Sequence, residues 1–345
     1  MKLPKEFNIP VRLNPVDAIN CSKYIMNAEA SSEFIYDFSK MQHCHPYGLL
    51  LLGHAIRSNK IRFKKSKHTL RESDTQGFQF AADIGFFQYA GWDIGRSFDV
   101  RDFGARHIPI KEITISELQD MNPKEHTLGN LVDSQAADLA YTLTQDRESP
   151  TTETLQYCLR EMIRNTFEHA KTDSVWVCGQ YWPSRNLAEI ALLDEGRGIY
   201  GSLRSNRRYK LNSDEEANKL ALQPGASRMF GLKQDPNDEW QNSGYGLYMA
   251  SALCAMGGYF ILSSGKDATL INSDQQTNYE ANIRGTAICM SIHTDCIDNL
   301  QTQLSNLSKL GSANAKQHKK ERILTASKVS TIASLIHKLP EEKIP

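Results

Sequence analysis

The chain has 345 residues, and its 40 Lys and Arg are balanced by 40 Asp and Glu, so no global basic field argues for nucleic acid as a partner. That length supports two domains with real cores. Its seven cysteines form no CxxC pair and fit reduced thiols better than a disulfide scaffold. Prolines and charges interrupt residues 1–20, and the longest purely aliphatic run is 49–52, far short of the roughly 20 residues a membrane span needs. A soluble, cytoplasmic protein with no membrane contact is expected.

Residues 34–38 read as a short strand. Residues 48–56 read as a helix packed by Leu49, Leu50, Leu52 and Ile56, followed by basic residues around 60–67. Ala82, Ile84, Phe86, Phe87 and Tyr89 then supply apolar bulk across 79–90. Strand and helix patterns in alternation favour an α/β module. His43-Cys44-His45 carries metal-friendly side chains, but adjacent residues rarely converge on one ion, and no metal is expected there. Phe34-Ile35-Tyr36-Asp37-Phe38-Ser39, Pro46-Tyr47-Gly48-Leu49-Leu50 and Ile84-Gly85-Phe86-Phe87 resemble a STAS-like domain over residues 1–109. This is the module of anti-sigma-factor antagonists. The resemblance implies a smaller α/β domain that binds or regulates and does no chemistry of its own. Ser39 is its analogue of a phosphoacceptor; a strand-capping serine is the plainer reading.

Residues 110–149 read as a helical connector, with Leu128, Leu131, Val132, Ala136, Leu139 and Leu143 in helical spacing and breaks at Pro123 and Gly129. Downstream, Leu155, Leu159, Met162, Ile163 and Phe167 mark a half-buried helix over 152–170. Glu161, Asn165 and His169 form a second stripe at steps of four, so acid, amide and imidazole line one wall of a cavity. Residues 187–193 read as a strand running into Asp194-Glu195-Gly196-Arg197-Gly198. A carboxylate there is placed to accept a hydrogen bond from an exocyclic amine while glycine backbone passes beneath a flat ring. Gly244-Tyr245-Gly246-Leu247 opens a helix within 242–256 and aims free amides at an anion. Gly285-Thr286 then opens an alternating strand through Ala287, Cys289 and Ser291.

Each motif alone is common, but the ordered set, Glu161-x-x-x-Asn165 included, resembles the GHKL ATPase superfamily across residues 150–295. That superfamily includes gyrase, heat-shock chaperones, mismatch-repair ATPases and histidine kinases. The resemblance implies a Bergerat fold, an α/β sandwich of helices on a mixed, mainly antiparallel sheet. It also implies ATP bound through magnesium. By motif, Asn165 corresponds to the magnesium ligand, Asp194 to the adenine reader, and Gly196 and Gly198 to the glycines under the base. Gly244, Gly246 and Leu247 correspond to the phosphate-side turn, His169 to a further ATP contact, and Thr286 to the late threonine near the adenine. Glu161 takes the place of the general base for the attacking water. Glu168 stands where kinases of this group often carry a lysine. Residues 200–243 correspond to the ATP lid, with Arg204, Arg207, Arg208, Arg228 and Lys233 as candidate phosphate contacts and Arg228 favoured. His126, where a kinase would place its phosphoacceptor, lacks the acidic residue that should follow and reads as structural.

The tail at 296–345 reads as a polar linker and a helix over 316–338, with an apolar strip and a basic first half. Protein or nucleic-acid contact by that helix is the sharper reading, a peripheral helix the plainer. The leading functional expectation is an ATPase that hydrolyses ATP and signals to a protein partner by lid closure. A histidine- or anti-sigma-type protein kinase comes second and a non-hydrolysing ATP-dependent switch third. A homodimer is compatible with each.

Overall fold

The computed structural model describes residues 3–95, 106–125, 127–227, 244–297 and 299–319. The N-terminal part comprises strands β1 (Lys5–Asn8) and β2 (Arg12–Leu13), helix α1 (Pro15–Met26), strands β3 (Glu33–Asp37) and β4 (His43–Cys44), and helix α2 (Pro46–Arg62). Strand β5 (Lys67–Arg71) and helices α3 (Gln76–Asp83) and α4 (Phe86–Tyr89) complete it. A parallel sheet forms in the order β1-β3-β5, with a separate parallel pair β2-β4. Asn14 caps α1, accepting the Asp17 N–H at 2.9 Å, and Pro15 fits the first turn, where no N–H is needed. Residues from Tyr47 to Ile56 on α2 are buried on every side, the pattern of a helix enclosed between layers.

The second part begins with β6 (His107–Thr114), α5 (Ile115–Met121), α6 (Leu128–Thr144) and α7 (Pro150–Asn165). It continues through β7 (Ser174–Trp182), β8 (Leu187–Asp194), α8 (Gly198–Leu203), α9 (Asp214–Ala221), α10 (Gly246–Ala255), β9 (Tyr259–Ile271), β10 (Gln276–His293) and α11 (Leu300–Lys319). The five strands form an antiparallel sheet in the order β6-β7-β8-β10-β9. Alternate residues on each strand point to opposite faces. Ala188, Ile190, Leu192, Ile288 and Met290 accordingly join the core beneath α6, α7 and α10. Ala191, Leu193, Ala287 and Cys289 join the core of α1, α2 and the small parallel sheet. The N-terminal part therefore covers the back of the large sheet, and both faces are dry. Burying each Leu or Ile of such a sheet stabilises the fold by about 1.5–3 kcal/mol.

Four elements differ from the sequence reading. The connector expected over 110–149 overlaps strand β6, which pairs with β7 at the edge of the sheet. A register shift between Ile108 and Lys111 sends Ile108 and Ile110 to opposite faces and hides the alternation. Gly285 does not open the last strand; it sits inside β10, at a break in register after a polar first half. The stretch read as a long loop over 200–243 contains α9 and the end of α8. In the tail, a helix begins already at Leu300, and most of the helix expected over 316–338 lies outside the described residues, as does His126. No helix among the described residues is long and apolar enough to cross a membrane.

Candidate functional site

A cavity of about 720 Å³ opens between the end of α7, the turn after β8, the start of α10 and the middle of β10. Asn165, His169, Asp194, Gly198, Gly244, Gly246, Leu247 and Thr286 all line it. These residues, drawn from four motifs spread over 122 positions (165 to 286), meet in one hollow. Met162, Ile199, Leu203 and Ile288 supply an apolar wall that no motif had marked.

Helix α7 starts on a Ser149 cap, whose hydroxyl accepts the Thr152 N–H at 3.1 Å, and buries Leu155, Leu159, Met162 and Ile163. Beyond Asn165 the helix widens into a π-helical turn, Thr166–Ala170, and stops at Lys171 in the left-handed region. Such turns often mark functional positions because they re-aim side chains. Here Met162, Asn165, Thr166, His169 and Ala170 all reach the cavity. Arg197 secures the widened turn: its Nε donates to the His169 carbonyl at 2.8 Å and its N–H to the Ala170 carbonyl at 2.9 Å. A Cβ on Gly196 would lie 2.3 Å from that Ala170 oxygen. Gly196 thus serves the close approach of the two loops and does not line the cavity.

Asp194 ends β8 and is only 5% exposed. Its carboxylate accepts the Gly196 N–H at 2.9 Å and hydrogen bonds from Thr286. Burial outweighs these bonds and pushes its pKa up to about 6. Ser264 Oγ accepts the Ile199 N–H at 3.0 Å and donates to the Gly285 carbonyl at 2.8 Å, tying the glycine turn to the sheet. Arg197, which lies within the Asp194–Gly198 motif but had no role assigned to it, and Ser264, which lies in none, are positioning residues: a lone serine in a strand carries no periodic signal.

Glu161 borders a second, polar hollow of about 930 Å³, shared with Arg160, Arg164, Ser308 and Ser312. Asn165 and Gly246 line both hollows, so Asn165 stands between Asp194 on one side and Glu161 on the other. The Glu161 Oε1 accepts from Arg160 Nη2 at 2.9 Å, and a Cβ on Gly246 would fall 2.2 Å from its Oε2. Glu168 is buried against Arg164 at 2.6 Å and faces neither hollow. Arg204, Arg207 and Arg208 are exposed and do not line the cavity; Arg228 and Lys233 lie outside the described residues. Gly225 N–H donates to the Gly244 carbonyl at 3.0 Å, so residues 225 and 244 meet beside the cavity.

No cluster of three or more His, Cys, Asp or Glu able to hold a metal occurs among the described residues. Asn165 offers one amide oxygen, which suits a magnesium ion that takes its remaining ligands from phosphate and water. The residues fit a cation arriving with a polyphosphate and do not fit a resident metal. No protein-family model matches the chain, and no curated protein sequence matches it.

Proposed function

We propose that the cavity binds ATP together with magnesium, in the manner of the GHKL superfamily, and that ATP is hydrolysed there to signal to a protein partner. The observation that carries this reading is that Asp194 and Asn165 line one hollow. A buried strand-end carboxylate suits the exocyclic amine of adenine, and apolar walls suit the flat ring. An amide at the junction of the two hollows suits a cation on the phosphates. Glu161, beyond that amide, would take the proton from a water as its oxygen attacks the terminal phosphorus and ADP departs. Magnesium would neutralise phosphate charge when bound. Calorimetric titration with ATP, with and without magnesium, tests the reading. Saturable magnesium-dependent binding that Asp194→Asn and Asn165→Ala each weaken supports it, and its absence removes it.

The Arg160 guanidinium on Glu161 favours a second reading. A carboxylate already engaged by a cation is a weaker base, which suits a kinase or a switch that holds ATP with little turnover. Labelled ATP separates these: label on protein indicates a kinase, and intact ATP a switch.

A further inference from the structure

A separate cavity of about 1160 Å³ opens at the seam between the N-terminal part and the large sheet. It is formed by the β2-β4 pair, the start of α2, the start of α3 and the turn joining β7 to β8. Arg12, His43, His45 and Arg185 line it, with the Trp182 indole and the amide of Gln180 beside them. No Asp or Glu is among the lining residues. Arg12 and Arg185 have no carboxylate partner among the described residues. Like charges gathered in a concave site, with no carboxylate on its surface and a single one buried beneath His45, are a feature the fold itself does not require.

The floor is built with care for one ring. Glu189 on β8 has no exposed side-chain surface, yet it accepts from His45 Nδ1 at 2.8 Å, from the Tyr47 N–H at 3.2 Å and from the Tyr259 hydroxyl at 2.7 Å. The start of α2, with its positive dipole end, thus meets this carboxylate. Glu189 fixes the His45 ring and leaves Nε2 as its remaining polar atom. Burial pulls the His45 pKa down, but the hydrogen bond and charge of Glu189 outweigh burial and raise it above the usual imidazole value, with Arg185 opposing. The ring of Trp182 lies 6.2 Å from that of His45, centroid to centroid.

We propose that this cavity binds a small phosphate monoester carrying a flat ring, with Arg12, Arg185 and His45 Nε2 holding the phosphate and Trp182 stacking on the ring. Guanidinium groups match phosphate oxygens in paired hydrogen bonds, and an indole face offers the stacking surface. A cation is disfavoured. Two guanidinium groups would repel it, His45 Nδ1 is engaged by Glu189, and the Cys44 thiol faces the Gly77 carbonyl at 3.5 Å. The inference is independent of the ATP reading, since none of its residues lines either hollow at Asn165.

Calorimetry on the full chain with phenyl phosphate tests it, with inorganic phosphate as the ring-free control. Saturable binding of phenyl phosphate is expected, tighter than phosphate and unaffected by Asp194→Asn. Arg12→Gln and Arg185→Gln each weaken it at least tenfold, while Trp182→Leu erases the preference over phosphate. Both arginines are exposed, so these variants keep their thermal melts. Absence of saturable binding to the wild type overturns the proposal. So does binding that survives Arg12→Gln/Arg185→Gln, or binding that is lost in Asp194→Asn.

Discussion

Thr286 lies directly opposite Asp194 in the pairing of β10 with β8, and it hydrogen-bonds the buried carboxylate through both side chain and backbone. Strand register alone thus delivers a donor to an acid 92 positions earlier in the chain (286 minus 194). The acid remains costly to ionise, because burial outweighs those bonds and holds its pKa near 6, above the ordinary 3.8.

That inequality fixes the sign of a pH effect. Between about 3.8 and about 6 the folded state holds a proton that the unfolded chain has released. Asp194 therefore makes the protein more stable as pH falls through that window, by on the order of 3 kcal/mol at the limit. Under the proposed reading, nucleotide affinity should run the other way, since the ionised carboxylate is the stronger acceptor for an amine. Urea melts and ATP titrations at pH 5 and pH 7.5 are expected to show the opposed trends. Asp194→Asn should stabilise the empty protein at pH 7.5 while weakening ATP at least tenfold. A purely structural aspartate would not give that combination.

Glu161→Ala is expected to leave ATP affinity within about threefold and to lower phosphate release by about 10²–10⁴, the usual contribution of a general base. Arg160 keeps a neighbour in this variant, with Asp133 3.6 Å away. Equal phosphate release by wild type and variant would leave Glu161 a structural partner of Arg160 and remove the general-base assignment.

The candidate site was more legible in the sequence than the fold around it. Asn165, Asp194 and Gly246 stood out because their chemistry is local, an amide on a helix face, an acid at a strand end and a glycine turn, whereas Thr286 stood out only through the resemblance of the ordered motifs. The roles of Arg197 and Ser264 were not legible, since their importance lies in which carbonyl and which N–H they meet across the fold. His43-Cys44-His45 was visible but not interpretable, because Glu189, the residue that orients His45, is 144 positions away. Strand β6 escaped notice because its register shift breaks the period-two pattern by which a strand is recognised.

Glycine substitutions offer a contrast that rests on space alone. A Cβ on Gly285 would lie 1.9 Å from the Asp194 carbonyl oxygen, at a φ of 90°. Gly285→Ala should cost several kcal/mol or prevent folding, as overpacking and a left-handed backbone compound each other. Gly129, in the first turn of α6, has nothing within 4 Å of its added Cβ. Gly129→Ala should raise stability by about 0.4–1 kcal/mol. Thermal melts of the two variants check both expectations.

His54 on the buried helix α2 reaches Glu195, the neighbour of Asp194, through Nδ1 at 3.1 Å. Arg57 lies 3.8 Å from the same carboxylate, with its guanidinium over the adjoining rings of Tyr89 and Trp176, at 4.8 and 4.7 Å. The His54 bond, ahead of an opposing burial effect, holds the Glu195 pKa below the usual carboxylate value. The N-terminal part thereby grips the turn that follows Asp194. If this grip positions Asp194, then His54→Ala and Glu195→Gln should each weaken ATP several-fold, and the double variant should be little worse than either single one. That non-additivity in a double-mutant cycle read on ATP affinity, with phosphate release per bound ATP unchanged, identifies a shared positioning role. Additive losses would mean that the two residues act separately, and unchanged affinity in all three variants would confine the contact to holding the two halves together.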